Sequence, residues 1–67
     1  MNLPADIKNL LEDLKVDPDQ LSRLKNDLFI QCGTVQNAQR LFDLVRPRYR
    51  CSVFGDELTL HIPGVIQ

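Results

Sequence analysis

The sequence predicts an α+β fold: three amphipathic helices followed by a C-terminal two-stranded antiparallel β-hairpin. Two observations carry that expectation. Through the first 46 residues, apolar side chains recur at i, i+3/i+4 and i+7, the spacing of a stripe along one side of a helix. From residue 48 the period changes to two, and Gly55-Asp56 divides the alternating run. At 67 residues the chain is expected to be one small domain, 1–67. Its helices are expected over about 4–15, 18–32 and 35–46, and its strands over about 48–54 and 57–62.

The first helix rests on Leu3, Ile7, Leu10, Leu11 and Leu14. Pro4 suits its first turn, where a missing N–H costs nothing, and Asp6 complements the positive end of the helix dipole. The second helix has a sharp start signal in Val16-Asp17-Pro18-Asp19-Gln20-Leu21. Asp17 is the N-cap, Pro18 the first helical residue, and Gln20 stands where a side chain reaches back to the cap N–H. Leu21, Leu24, Leu28 and Cys32 continue a stripe, which Phe29 widens, and Gly33 offers a left-handed stop. Ile30 fits badly: it falls about 180° from that stripe. Thr34 caps the third helix, whose inner side is Val35, Ala38, Leu41, Phe42 and Val45, with Leu44 at the edge. Pro47 ends it by forcing Arg46 out of helical geometry.

In the hairpin, a two-residue turn at Gly55-Asp56 pairs Phe54 with Glu57, Val53 with Leu58, Cys51 with Leu60 and Tyr49 with Ile62. One face is then Tyr49, Cys51, Val53, Leu58, Leu60 and Ile62. The other is Arg50, Ser52, Phe54, Glu57, Thr59 and His61. The expected core is the apolar face of the hairpin, the three helical stripes and Cys32. Where the Val65-Ile66-Gln67 tail goes is left open.

Composition narrows the function classes. An apolar fraction of 43% and a charged fraction of 25% describe a globular chain rather than a disordered one. The net charge of −1 lacks the basic excess of a non-specific nucleic-acid binder. The charge is uneven, though: residues 34–54 hold Arg40, Arg46, Arg48 and Arg50 against the single acid Asp43. No apolar run approaches the roughly 18 residues of a membrane span, and the N-terminus carries acids within its apolar pattern, so a cytoplasmic protein without a membrane partner is expected. Cys32 and Cys51 are expected as buried free thiols.

No residue set points to catalysis, and no small-molecule substrate or cofactor is expected. His61, the single histidine, has no partner nucleophile in the pattern. Cys32, Cys51 and His61 match no zinc spacing, and the three glycines are explained as stops and turns. The expectation is a non-enzymatic regulatory or adaptor module that binds protein, most simply a second copy of itself as a homodimer. Ile30, Leu44, Phe54, Val65 and Ile66 are the candidate interface, being apolar residues beyond one stripe per helix. The hairpin edge is the other candidate contact.

The alternative is a nucleic-acid binder. Three helices and a hairpin resemble, in layout, small repressors of the Cro type and the end of a winged helix. That resemblance implies that Gln36 and Arg40 face bases while Arg46, Arg48 and Arg50 hold phosphates. Helix-turn-helix spacing around Gly33 fits poorly, with Phe29 where a small residue is needed and Gln39 where an apolar one is.

Overall fold

The computed structural model describes residues 2–55 and 58–67. The class is α+β, but the elements are two helices and a four-stranded antiparallel sheet. In chain order they are α1 (Ala5–Asp13), β1 (Leu21–Leu24), β2 (Asp27–Gln31), α2 (Val35–Val45), β3 (Ser52–Phe54) and β4 (Thr59–Ile62). The sheet order is β1-β2-β4-β3, so two local hairpins are joined through their second strands.

The expected helix over 18–32 does not form. Its start signal is real: Gln20 Oε1 accepts from the Asp17 N–H at 2.9 Å. It closes only one 3₁₀ turn, Pro18–Gln20, after which the chain extends. Ile30 shows why. In a helix it would lie opposite Leu28 and Cys32, whereas in a strand residues two apart share a face. Leu28 and Ile30 are both 0% exposed, and Cys32 is 4% exposed. Extending the segment therefore buries all three apolar side chains together, which no helical turn achieves. Lys25-Asn26 makes the two-residue connection, with Lys25 at φ 56° and Leu24 opposite Asp27 as the closing pair.

The C-terminal hairpin is present in a shifted register. Ser52 pairs with His61, Val53 with Leu60 and Phe54 with Thr59, so Gly55 begins a four-residue connection. The shift from the expected pairing is two residues. Because side chains alternate with period two, every described residue keeps its face. The expected two-residue turn and the Phe54–Glu57 pair involve Asp56 and Glu57, outside the described residues. The strands are also shorter than expected, and 48–51 is not strand.

Helices and tail cover one face of the sheet. Ile7 and Leu11 of α1, with Ala38, Leu41 and Val45 of α2, pack on Leu28, Ile30, Leu60 and Ile62. The Thr34 hydroxyl caps α2 by accepting from the Asn37 N–H at 3.1 Å. Leu24 and Val35 had been expected in the core but are 65% and 48% exposed. The tail closes the core: Val65 and Ile66 are buried, the Ile66 N–H donates to the Asn26 carbonyl and the Gln67 N–H to the Asn2 carbonyl, both at 2.9 Å. Gly64, at φ 66°, turns the chain out of β4 toward that position.

Ile30 sits on a central strand between Leu21 and Leu60. Truncation of Ile30 to alanine is expected to destabilise the protein by about 2–5 kcal/mol, the range for emptying a buried aliphatic site. Urea denaturation followed by far-UV circular dichroism checks this. A loss well under 1 kcal/mol would mean that the segment is not packed as a central strand.

Candidate functional site

Antiparallel strands alternate, so the face turned away from the helices carries the other half of each strand. Across the middle of the sheet it reads Ser22, Phe29, His61 and Ser52. On one side of that row lie Gln31, Thr59 and Phe54, and on the other Leu24 and Asp27. Among the described residues, the buried core formed with the two helices is on the other face. Its apolar side chains are Leu24, Phe29 and Phe54, the last 47% exposed.

The rings form a cluster. Phe29 and His61 stack at 4.6 Å between centroids with 9° between planes. Phe54 meets both edge-on, at 5.9 Å from Phe29 and 6.3 Å from His61. Phe29 and His61 are directly opposed on β2 and β4, the arrangement in which cross-strand side chains touch. Each ring gives one flat face to the other.

His61 is held from below the row. Its Nε2 lies 3.0 Å from Asp27 Oδ2, while Asp27 Oδ1 accepts from the Gly64 N–H at 2.8 Å. That carboxylate thus ties the start of β2 to the turn after β4. The Gly64 N–H, and after it His61, hold the Asp27 carboxyl below its usual range. Arg23, the only Arg or Lys in the four strands, sits at the β1 edge and donates to the Lys25 carbonyl at 2.9 Å.

A second polar cluster fastens the helical layer. The Tyr49 hydroxyl donates to Asp6 Oδ1 at 2.8 Å, and Arg48 Nη1 lies 3.2 Å from Asp6 Oδ2. The Tyr49 hydroxyl is the main cause lowering the Asp6 pKa, with Arg48 adding to it, and the same bond raises the pKa of Tyr49. Arg48 is therefore engaged in holding α1 to the turn after α2.

The structure divides the candidate interface. Ile30, Val65 and Ile66 are core residues of the single chain and present nothing to a partner. Leu44 and Phe54 are exposed, Leu44 on α2 and Phe54 on the uncovered sheet face. Of the residues proposed for nucleic acid, Gln36 and Arg40 stand one turn apart on the exposed side of α2. Arg46 lies 3.9 Å from Asp43, Arg48 is bonded to Asp6, and Arg50 is exposed just before β3. A helix-turn-helix would need a helix before Gly33, where the chain is instead β2. Sequence reasoning missed Phe29 and Leu24 as surface residues. The alternation Leu28-Phe29-Ile30-Gln31 was the signal that marks them, once read with period two.

Among the described residues, no three His, Cys, Asp or Glu side chains come together, and no helix is long and apolar enough to cross a membrane. Both cysteines are free; burial raises the pKa of each. Comparison of the chain with protein-family models, with curated proteins and with solved structures returns no match.

Asp6 and Asp27 fix the sign of the acid response. Each has a folded-state pKa below the unfolded value near 3.9. Their stabilisation is complete above that unfolded value and is lost as pH falls through the lower folded values. Urea midpoints are expected to fall as pH drops below about 4, and Asp27→Asn and Tyr49→Phe should each flatten the fall. Parallel pH profiles for wild type and both variants would show that neither carboxylate is linked to folding.

Proposed function

We propose that this chain is a non-enzymatic binding module that acts by protein–protein contact, and that its first partner is a second copy of itself. The observation that carries the reading is the uncovered sheet face with Phe29, Phe54 and His61 at its centre and Leu24 at its margin. Antiparallel sheets commonly leave one face to water, but that face is then polar. Here three of its side chains are large and apolar.

Three physical features favour protein over nucleic acid on this surface. The Phe29 and His61 rings stack on each other, which covers one face of each against a base. Rings that stand on edge project as ridges, which interlock with side chains of another sheet. The face carries Asp27 and no strand Lys or Arg, since Arg23 pairs with Leu28 and shares the helix-side face, whereas phosphate neutralisation calls for a basic surface.

A near-neutral face of this kind is self-complementary, which suits the two-fold contact of a homodimer. On a body 27 × 25 × 23 Å, one sheet face offers roughly 500 Å² per copy, or about 1,000 Å² in total, the lower end for a specific interface. The dimer is accordingly a weak one. Gln36 and the basic residues Arg40, Arg46, Arg48 and Arg50 remain the candidates for the alternative nucleic-acid reading, now without a helix-turn-helix behind it.

Sedimentation from roughly 10 μM to 1 mM is expected to show a monomer–dimer equilibrium, in the affinity range of small interfaces. Phe54→Glu should shift it to monomer with an unchanged circular dichroism spectrum. Association that raised salt abolishes, or that Phe54→Glu leaves intact, would remove the sheet face from consideration, and a strict monomer at 1 mM would remove the second copy.

A further inference from the structure

The ring cluster of the uncovered face contains the one histidine of the chain, and that ring meets a carboxylate. His61 Nε2 and Asp27 Oδ2 are 3.0 Å apart, and the two side chains are 25% and 34% exposed. Each therefore keeps water contact that a covering layer would remove. Asp27 is held in place for that event. Its Oδ1 accepts from the Gly64 N–H at 2.8 Å, so the carboxylate cannot turn out to solvent without giving up a backbone bond.

Few charges surround the pair. From β2 come Asp27 and the Phe29 ring, which stacks on the imidazole. From β3 come Ser52, opposite His61, and Phe54, edge-on to its ring; neither titrates in the physiological range. Lys25, in the β1–β2 connection, acts on Asp27 as a more distant charge, and Arg50 precedes β3. Among the described residues, neither of these cations lies within 4.0 Å of a carboxylate. Of the described groups, the His61 imidazolium is thus the close positive charge that can neutralise Asp27.

Protonation sets the net charge of the pair. With neutral His61 the pair is an anion. With a further proton it has no net charge, and with Asp27 protonated as well it is a cation. Taking an uncompensated charge out of water is the expensive case, and a two-fold contact does so on both copies. A hydrogen-bonded pair without net charge is far less costly to cover, whether the shared proton sits on nitrogen or on oxygen. We propose, on the reading that a second copy covers this face, that self-association takes up a proton at the His61–Asp27 pair of each copy and so tightens as the solution is acidified from about pH 8 to about pH 6. Histidine side chains ordinarily titrate near pH 6.5, which places the response in that interval.

Sedimentation equilibrium of the full chain at several pH values and one ionic strength tests this. The dimer dissociation constant is expected to fall about tenfold from about pH 8 to about pH 6. His61→Gln keeps an N–H donor for Asp27 but takes up no proton, so it should lose the slope whatever its absolute affinity. Asp27→Asn leaves the imidazolium without a counter-charge, so its slope should reverse, with association weakening on acidification. Circular dichroism at each pH checks that both variants stay folded. A wild-type constant that is flat, or that rises on acidification, overturns the proton linkage and leaves the sheet-face dimer standing. A wild-type slope that persists in His61→Gln assigns the proton to another group and overturns it as well. A monomer at every pH removes the second copy, and the linkage with it.

Discussion

The fold depends on the pairing of β2 with β4. Each hairpin is local, and a two-stranded hairpin alone is marginal in water. The β2–β4 ladder places Leu28 opposite Ile62 and Ile30 opposite Leu60, and all four side chains are 0% exposed. Both helices and the C-terminal tail pack on the surface this ladder creates. It also brings Asp27 to His61 and to the Gly64 N–H, so the polar pins of the uncovered face rest on the same pairing as the core. The ladder joins residues at least 28 positions apart, which makes it the non-local step on which both hairpins wait.

One pairing therefore gives the sheet two unequal faces. On the inner side, aliphatic residues meet two helices, and the layer is complete. On the outer side, Phe29 and His61 are brought face to face by the same register that opposes Leu28 to Ile62. A ring cluster over a central pair of strands stabilises the sheet whether or not anything docks there, since aromatic cross-strand pairs contribute about 0.2–1 kcal/mol each. Phe54 goes beyond that role: it lies at the edge-strand turn, half-exposed, and extends the apolar surface past what the sheet itself can use. Leu24 does the same at the opposite corner, on the other hairpin.

The sequence disclosed the parts of this structure that local chemistry determines. Pro4, Asp6 and the Ile7–Leu11 stripe form a helix, and Thr34 caps the helix that ends before Pro47. The faces of the second hairpin were also readable, because a two-residue change of register conserves them. The segment 21–31 was not readable in the same way. Leu21, Leu24 and Leu28 satisfy a helical period as well as they satisfy strands joined by a turn, and the Asp17–Gln20 cap is the same for one helical turn as for several. Lys25-Asn26 carries none of the glycine that usually marks a two-residue hairpin turn. What decides the segment is its partner β4, thirty residues away. The misfit of Ile30 in the helical stripe was the local trace of that decision. Reading Ile30 as surplus apolar surface turned a core residue into a candidate interface, and the true surface residue, its neighbour Phe29, was assigned inward for the same reason.

The proposed second copy fits what size demands of a small domain. A domain of this length buries only about 60% of the surface its unfolded chain exposes, and small domains make up the deficit with disulfides, metals or subunits. Both cysteines here are free thiols, and Cys32 is already occupied in the core beside Ile30, with its Sγ 3.4 Å from the Ile30 carbonyl. The helices pack on the other face of the sheet through Ile7, Leu11, Ala38, Leu41 and Val45. The uncovered sheet face exposes Phe54 and Leu24, with Phe29 half-buried between them, while Val35 and Leu44 are the exposed apolar residues of α2. Burying the uncovered sheet face removes apolar surface from water at roughly 25 cal/mol per Å². A second sheet laid across the first matches it in shape, in apolar centre and in near-neutral charge, and it requires no partner whose chemistry differs from what this chain already carries.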